Sequence, residues 1–155
     1  DKAVAFENKD FRLHTRLLEG NYPPYDRVIP KDNTIETTIN KNDLIEALKR
    51  VMPMGDATSE LVDLSFKMGM LTIKAEDFSF SKSADESLDC DYASQEMSIG
   101  FNGSWLLDVL QSIDGEMVKA CLKDKTRAGI FKPCETGENE EYITLLMPIF
   151  LAPQQ

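Results

Sequence analysis

Closely spaced carboxylates are the side chains of this sequence with the most obvious capacity for chemistry. Residues 76–96 hold seven acids and one lysine, and Asp89 and Asp91 lie two positions apart. Residues two apart in a β-strand point to the same face, so both carboxylates could reach one ligand. Carboxylate oxygens suit a hard divalent cation such as Mg²⁺. One interpretation is a metal-dependent enzyme; a solvated edge, or a docking face for a basic partner, explains the same acids.

Other catalytic signatures are missing from the sequence. It contains no glycine-rich nucleotide loop, nucleophile elbow or His-Glu-x-x-His zinc motif, and the acidic stretch offers no identifiable third ligand. The single histidine, His14, occupies a polar position of a predicted strand. Cys90, Cys121 and Cys134 are too widely spaced for a zinc site and fit a reducing compartment. We therefore expect a cytoplasmic protein without a metal ion or a cofactor.

Hydrophobic periodicity predicts the elements that position these residues. Residues 4–17 read as a β-hairpin with a polar turn, and a proline- and glycine-containing segment follows it. From Thr34 onward, two helices are predicted, with N-caps at Asn40 and Asn102. The strands that accompany them are predicted at 34–39, 61–67, 71–77, 87–92, 97–101, 118–122, 129–132 and 142–147.

The second half of this pattern repeats the first. A shift of 62 residues aligns Asn40 with Asn102 and residues 44–48 with residues 106–110. The strand before each helix and the three strands after it then align as well, which indicates an internal duplication of a βαβββ unit. We predict an α+β fold in which the two halves join their sheets edge to edge and place both helices on one face of antiparallel sheets.

The apolar residues near the end of the sequence form a second candidate site. Residues 145–151 remain apolar beyond Pro148, where a strand should end. Either this tail packs on the core, or it forms the wall of a groove that receives a short motif of a partner. Tyr25, Val28 and Ile29 in the irregular segment have the same apolar character and could meet the tail in space.

Three motifs resemble those of the bacterial DNA sliding clamp, the β subunit of DNA polymerase III. Residues 16–30 read RLLEGNYPPYDRVIP, residues 99–110 read IGFNGSWLLDVL, and residues 147–151 read MPIFL. All three occur in the family's order and span most of the chain. The resemblance implies a piece of a clamp: residues 1–30 as the last hairpin and linker of the middle domain, and residues 31–155 as the third domain.

The resemblance also implies function. Clamps of this family are non-catalytic rings of two chains that enclose duplex DNA. They hold the polymerase III α subunit, the clamp loader and repair polymerases through short peptide motifs. Carried over position by position, the peptide pocket falls on the linker, one loop and the tail: Pro23, Arg27, Val28, Thr126, Ala128, Leu145, Met147, Pro148, Ile149, Phe150 and Leu151.

Two further surfaces follow from the same resemblance. The family's dimer contact would comprise an apolar turn and an acidic rim: Met52, Pro53, Met54, Asp85, Glu86 and Asp89. Because the basic first domain that it would meet is not in the sequence, we expect a monomer. The positions facing DNA would include Lys41, Lys49 and Arg50; a solvated face of the first helix explains Lys49 and Arg50 as well.

Charge sets a limit on how DNA could be bound. The 155-residue chain is 42% hydrophobic and 28% charged, with a net charge of −10, which argues against a general nucleic-acid binder. Residues 76–96 alone contribute −6 of this charge. A ring that holds DNA by enclosure needs only a neutral or mildly basic inner face, so a nucleoid-associated clamp and an acidic chain are compatible. A metal-dependent enzyme and a sheet-rich adaptor unrelated to DNA remain the alternatives.

Overall fold

Ten strands and two helices follow one another in the order that the sequence predicts. The structure, a computed structural model, describes residues 2–137 and 140–150. The helices are α1 (Lys41–Val51) and α2 (Gly103–Ser112), and 3₁₀ turns cover Tyr25–Arg27 and Met52–Met54. The strands are β1 (Ala3–Glu7), β2 (Arg12–Arg16), β3 (Ile35–Asn40), β4 (Leu61–Lys67), β5 (Met70–Asp77), β6 (Lys82–Asp89), β7 (Met97–Asn102), β8 (Met117–Leu122), β9 (Gly129–Pro133) and β10 (Thr144–Leu146). Within the described ranges, neither helix has the length and apolarity needed to cross a membrane.

The two βαβββ units are interlocked by an exchange of strands. One four-stranded antiparallel sheet has the order β10-β9-β8-β3 and the other has the order β6-β5-β4-β7. The first strand of each unit therefore pairs inside the sheet of the other unit, as Ile39 opposite Val118 and Phe101 opposite Val62 show. Isolated bridges between Ile39 and Cys90 and between Gly100 and Ile149 also join the sheets at their edges. The predicted duplication is confirmed, and its halves are more deeply combined than an edge-to-edge contact.

Two predicted strands have different limits in the structure. The strand predicted at 87–92 is β6, which begins at Lys82 and pairs with β5 along its whole length. The side chains of β6 that face inward include the small Ala84 and the charged Glu86, and both are only partly buried. The alternation of apolar and polar residues by which a strand is recognised in a sequence is therefore weak in β6. Tyr92 is buried beyond the end of β6, which explains why its segment resembles a strand. The strand predicted at 142–147 shortens to the three residues of β10.

One hydrophobic core serves both units. The apolar faces of α1 and α2 pack into this core, with Leu44 and Leu48 on the first helix and Leu106 and Leu110 on the second fully buried. The helices contact each other and the strands of both sheets. A helix with one buried apolar stripe gains most of its stability from such packing.

Side chains of matching asparagines begin both helices. The Oδ1 atom of Asn40 accepts the backbone N–H of Asp43 at 3.1 Å, and that of Asn102 accepts the N–H of Trp105 at 2.9 Å. The Nδ2 atom of Asn102 also donates to the carbonyl oxygen of Ser59 at 3.3 Å and to Glu60 at 3.2 Å. The second cap therefore also ties α2 to the segment that precedes β4.

We expect Asn40→Ala to lower the free energy of unfolding by about 1 kcal/mol through loss of its cap. Asn102→Ala should cost about 1 kcal/mol more, because two additional hydrogen bonds are lost with it. Urea titration followed by circular dichroism measures both values. Asn40→Asp, which retains a capping oxygen, is the control and should lie close to the parent protein. Equal losses for the two alanine variants would contradict the additional role of Asn102.

The hairpin of β1 and β2 forms a two-stranded sheet of its own. Phe6, Phe11, Leu13 and Leu17 are each more than half exposed on it. A two-stranded hairpin is only marginally stable in water without a covering partner. This agrees with the expectation that the hairpin belongs to another domain, which stays a prediction.

Candidate partner-binding groove and interface

The segment that follows β10 is held by hydrogen bonds to neighbouring strands, while its side chains Met147 and Phe150 stay exposed. Leu145 pairs with Ile130 and Leu146 pairs with Gly129 across β9. Beyond them, the backbone N–H of Ile149 donates to the carbonyl oxygen of Gly100 in β7 at 2.8 Å. Leu146 is buried, whereas Met147 is 59% and Phe150 is 75% exposed. Core packing therefore accounts for Leu146, and the exposed pair fits the wall of a groove.

Helix α2 contacts β10 and carries an exposed aromatic side chain in its first turn. The hydroxyl of Tyr142 lies 2.8 Å from that of Ser112, at the C-terminal end of the helix. At the N-terminal end of the helix, the antiparallel bridge between Gly100 and Ile149 can be extended by two residues. This extension places Asn102, the N-cap of α2, opposite Met147. Trp105 lies in the first turn of α2 and is 61% exposed.

Trp105 is a candidate residue that the sequence reasoning missed. The prediction for α2 considered only its apolar stripe, and Trp105 lies outside that stripe. A large aromatic residue on the polar face of an amphipathic helix is the signal that could have identified it.

The loop between β8 and β9 borders the other side of the groove. The Oδ1 atom of Asp124 accepts hydrogen bonds from the backbone N–H and hydroxyl of Thr126, at 2.8 and 2.6 Å, and from the N–H of Arg127 at 3.1 Å. The bonds from Thr126 lower the pKa of Asp124. Continuing the β9–β10 register by one residue places Ala128 opposite Met147. Thr126 is exposed and Ala128 is buried, so the loop supplies both a rim and a floor.

The end of the linker, at Asp32 and Asn33, forms hydrogen bonds with residues on both sides of the β8–β9 loop. The Nδ2 atom of Asn33 donates to the carbonyl oxygens of Cys121 and Ala128, both at 2.9 Å. Asp32 accepts from the ammonium of Lys123, and this hydrogen bond lowers the pKa of Asp32.

The other linker residues of the predicted pocket are exposed. Pro23, Arg27 and Val28 lie in or next to a 3₁₀ turn whose backbone hydrogen bonds are internal. The structure thus brings Ala128, Leu145 and Met147 together, while Pro23, Arg27 and Val28 lie on the chain leading to Asn33. Leu151, which was also predicted to line the pocket, lies outside the described residues.

The predicted dimer contact combines a surface turn with an edge strand. The 3₁₀ turn Met52–Met54 contacts β5 and β6, and β6 is the outer strand of its sheet. Beside the turn, a depression of about 400 Å³ is lined by Lys49, Met52, Pro53, Gly55, Asp56, Ala57, Glu60, Leu61, Val62 and Leu107. Asp85 and Asp89 are exposed along β6. The turn thus lies next to the acidic edge strand, and its use as a dimer contact stays a prediction.

The predicted DNA-facing cations all have partners within the chain. The ammonium of Lys41 donates to the carbonyl oxygen of Ile113 at 2.7 Å, and that of Lys49 donates to Glu46 at 3.1 Å. The guanidinium of Arg50 holds both oxygens of Glu86, at 2.9 and 2.6 Å, and lowers the pKa of that carboxyl group. Because these charges are partly compensated, contact of α1 with phosphate stays a prediction.

The hypothesis of a metal site at Asp89 and Asp91 is not supported by the geometry. Strand β6 ends at Asp89, so the two carboxylates do not share the face of one strand. The Oδ1 atom of Asp91 accepts the backbone N–H of Thr38 and thereby joins the segment after β6 to β3. Among residues 2–137 and 140–150, no group of three or more His, Cys, Asp or Glu side chains could hold a metal ion.

An interlocked α+β domain with exposed apolar side chains along one groove has the features of a protein-binding scaffold. Residues 26–149 match the family model described as the DNA polymerase III beta subunit, C-terminal domain, and the chain belongs to this family. The resemblance seen in the three sequence motifs is therefore confirmed.

Individual relatives agree with this assignment. The chain is 29% identical over 148 residues to a beta sliding clamp of Streptococcus pneumoniae, a match covering 94% of the chain and 38% of that relative. It is 32% identical over 152 residues to the beta sliding clamp of Streptomyces coelicolor, covering 96% of the chain and 40% of that relative. The chain thus spans about two-fifths of the length of the curated relatives it matches.

Solved structures show the same fold. A sliding clamp from Bartonella birtlesii, crystallised with griselimycin bound, superposes with a TM-score of 0.89 at 26% identity. That match covers 97% of this chain and 39% of the clamp. A DNA polymerase sliding clamp from Pseudomonas aeruginosa superposes with a TM-score of 0.88, also at 26% identity, covering 97% of this chain and 40% of that one.

Proposed function

We propose that the chain is part of a DNA sliding clamp, a non-catalytic processivity factor that encircles duplex DNA and tethers replication and repair proteins. The observation that carries the proposal is the exposure of Met147 and Phe150 on a backbone fixed between β7 and β9. Membership of the clamp family supports it. Its partners would be the polymerase III α subunit, the clamp loader and repair polymerases.

The groove suits a short, extended and partly apolar peptide. Met147, Phe150 and Trp105 offer exposed apolar area, and the buried Leu146 and Ala128 provide a fixed floor beneath them. Enclosing one large apolar side chain is worth about 1.5–3 kcal/mol. Arg27 and backbone groups of the linker would orient the peptide. These residues, with Pro23, Val28, Thr126, Leu145, Pro148, Ile149 and Leu151, form the proposed pocket.

The proposed ring contact uses the turn Met52–Met54 with Asp85, Glu86 and Asp89. Its apolar centre and acidic rim would complement a basic surface of a second copy of the full clamp. Since that surface would lie in a part of the relatives that this chain does not span, we expect the chain to be monomeric in light scattering. We propose that DNA is held by enclosure, with Lys41, Lys49 and Arg50 facing it.

A fluorescence polarisation titration with a labelled peptide of the type Gln-Leu-x-Leu-Phe tests the pocket. We expect Met147→Ala and Trp105→Ala each to weaken binding about tenfold, which corresponds to the burial of one apolar side chain. Met68→Ala is a matched control, because Met68 is 80% exposed in the turn between β4 and β5. This control should bind as the parent protein does.

Two results would contradict the proposal. One is a parent protein that gives no polarisation change at millimolar concentrations. The other is equal weakening by Met68→Ala and Met147→Ala, which would indicate nonspecific adsorption to exposed apolar side chains.

A further inference from the structure

Basic side chains are concentrated in the linker and in the β8–β9 loop that adjoins the proposed groove, although the chain as a whole carries a net charge of −10. The linker residues 26–32 and the loop residues 123–127 together contain five cations and three carboxylates. We call the cations the basic rim: Arg27, Lys31, Lys123, Lys125 and Arg127. The local excess of positive charge contrasts with the acidic surface along β6.

The position of the loop next to the groove follows from strand register. Gly129 pairs with Leu146 at the start of β9, so the residues before Gly129 run beside the residues after Leu146. Continuing this register by one residue places Ala128 opposite Met147, and Thr126 and Arg127 come directly before Ala128 in the loop. The loop is held in place by Asp124, whose carboxylate accepts three hydrogen bonds from Thr126 and Arg127.

The acids of this region leave part of the basic rim uncompensated. Asp32 is paired with Lys123. Asp124 accepts hydrogen bonds from Thr126 and Arg127 and keeps its negative charge, so Asp124 and Asp32 both partly offset the charge of Arg127. Lys125 and Arg127 are exposed, and among the residues that the structure describes neither forms an ion pair within 4.0 Å. With the carboxylates of Asp26, Asp32 and Asp124 set against its five cations, the region retains a net charge of +2 that can act on a bound ligand.

We propose that the basic rim recognises carboxylates that flank the apolar motif of a partner peptide. The inference rests on the proposed function, because it concerns a ligand of the same groove. An acidic flank would lie against Lys125 and Arg127 while the apolar residues contact Met147 and Trp105. Such exposed pairs add modest affinity, accelerate association and weaken with salt. The rim would favour acidic-flanked motifs over neutral ones.

A protein ligand fits this charge pattern better than DNA does. Asp32 and Asp124 lie in the same linker and loop segments and would repel a continuous phosphate backbone, whereas a short peptide needs to place only one or two carboxylates beside Lys125 and Arg127. The rim also adjoins the apolar groove and belongs to the linker and the β8–β9 loop, not to α1 or α2.

The experiment compares two labelled peptides that share the Gln-Leu-x-Leu-Phe motif and differ in an Asp-Glu or a Ser-Ser flank. Polarisation titrations at 50 mM and 500 mM NaCl are made with the parent chain and with Lys125→Glu/Arg127→Glu. The parent should bind the acidic peptide about three- to tenfold more tightly at low salt, and the preference should largely disappear at high salt. The double variant should lose or reverse the preference and bind the neutral peptide within about twofold of the parent.

Lys9→Glu/Lys67→Glu is the charge-matched control, because it makes the same change in net charge at positions on the hairpin turn and on β4. It should retain the preference, and circular dichroism verifies that both double variants are folded. Equal loss of preference in the control and in the rim variant would overturn the inference, since it would show an effect of net charge alone.

The remaining outcomes separate the two proposals. If the neutral peptide binds in a manner that depends on Met147 but the acidic flank adds nothing, the rim inference fails and the groove stands. If neither peptide binds, both fail. Binding of a short DNA duplex that is lost in Lys125→Glu/Arg127→Glu, at the salt concentration where the flank has no effect, would reassign the rim to nucleic acid.

Discussion

Each half of the duplicated domain, produced alone, is expected to remain unfolded, and mixing the halves is expected to restore the fold. The halves are residues 31–94 and 95–155. Strand β3 pairs with β8 and strand β7 pairs with β4, so each half leaves its first strand without a partner and its sheet one strand short. The shared core is also divided, because α1 belongs to one half and α2 to the other. Both defects expose apolar surface that only the other half can cover.

Nuclear magnetic resonance of one isotope-labelled half measures this effect. The labelled half alone should give the narrow dispersion of an unfolded chain, and addition of the unlabelled half should produce a dispersed spectrum at a 1:1 ratio. A second half carrying Phe101→Ala is the control and should reassociate much more weakly. A cooperative thermal transition for either half alone would contradict the expectation.

Phe101→Ala in the whole chain is expected to lower the free energy of unfolding by about 3–5 kcal/mol. Phe101 is 0% exposed in β7 and pairs with Val62 of β4, a strand of the other unit. Its ring contacts the ring of Phe131 edge to face, with 5.8 Å between the centroids. Loss of its ring leaves a cavity between both units, and domains of this size are stable by only about 5–15 kcal/mol.

Urea unfolding monitored by circular dichroism tests this value. Phe78→Ala is the matched control, because Phe78 is 86% exposed at the turn between β5 and β6. Its loss should change stability by less than about 0.5 kcal/mol. Similar losses for the two variants would show that β7 does not carry the core contact described for it.

The features that the sequence predicts well are local. Asn40 and Asn102 were identifiable as helix caps because the capping residue, the apolar stripe and the terminating glycine or proline lie within about fifteen residues of each other. The duplication followed from repetition of these local signals, and the fold class is confirmed by the structure. The family followed from three short motifs, whose order along the chain is also a property of the sequence alone.

The features that the sequence did not predict depend on distant contacts. The exchange of β3 and β7 joins residues about eighty and forty positions apart, such as Ile39 with Val118 and Val62 with Phe101. Periodicity carries no information about which strands become neighbours. Strand β6 was misplaced because its inward positions are poorly apolar. The ion pair between Arg50 and Glu86 was not predicted, because it depends on tertiary packing.

The bridge between Gly100 and Ile149 has a consequence for how a ligand and the fold influence each other. Among the residues that the structure describes, it is one of two isolated bridges between the sheets, and it lies two residues from Met147. A ligand that binds the native groove but not the unfolded chain raises global stability by RT ln(1 + [L]/Kd). The groove includes the bridge between the two sheets. Binding of a peptide should therefore slow hydrogen exchange in β7 and β10 together, although these strands come from opposite ends of the second repeat.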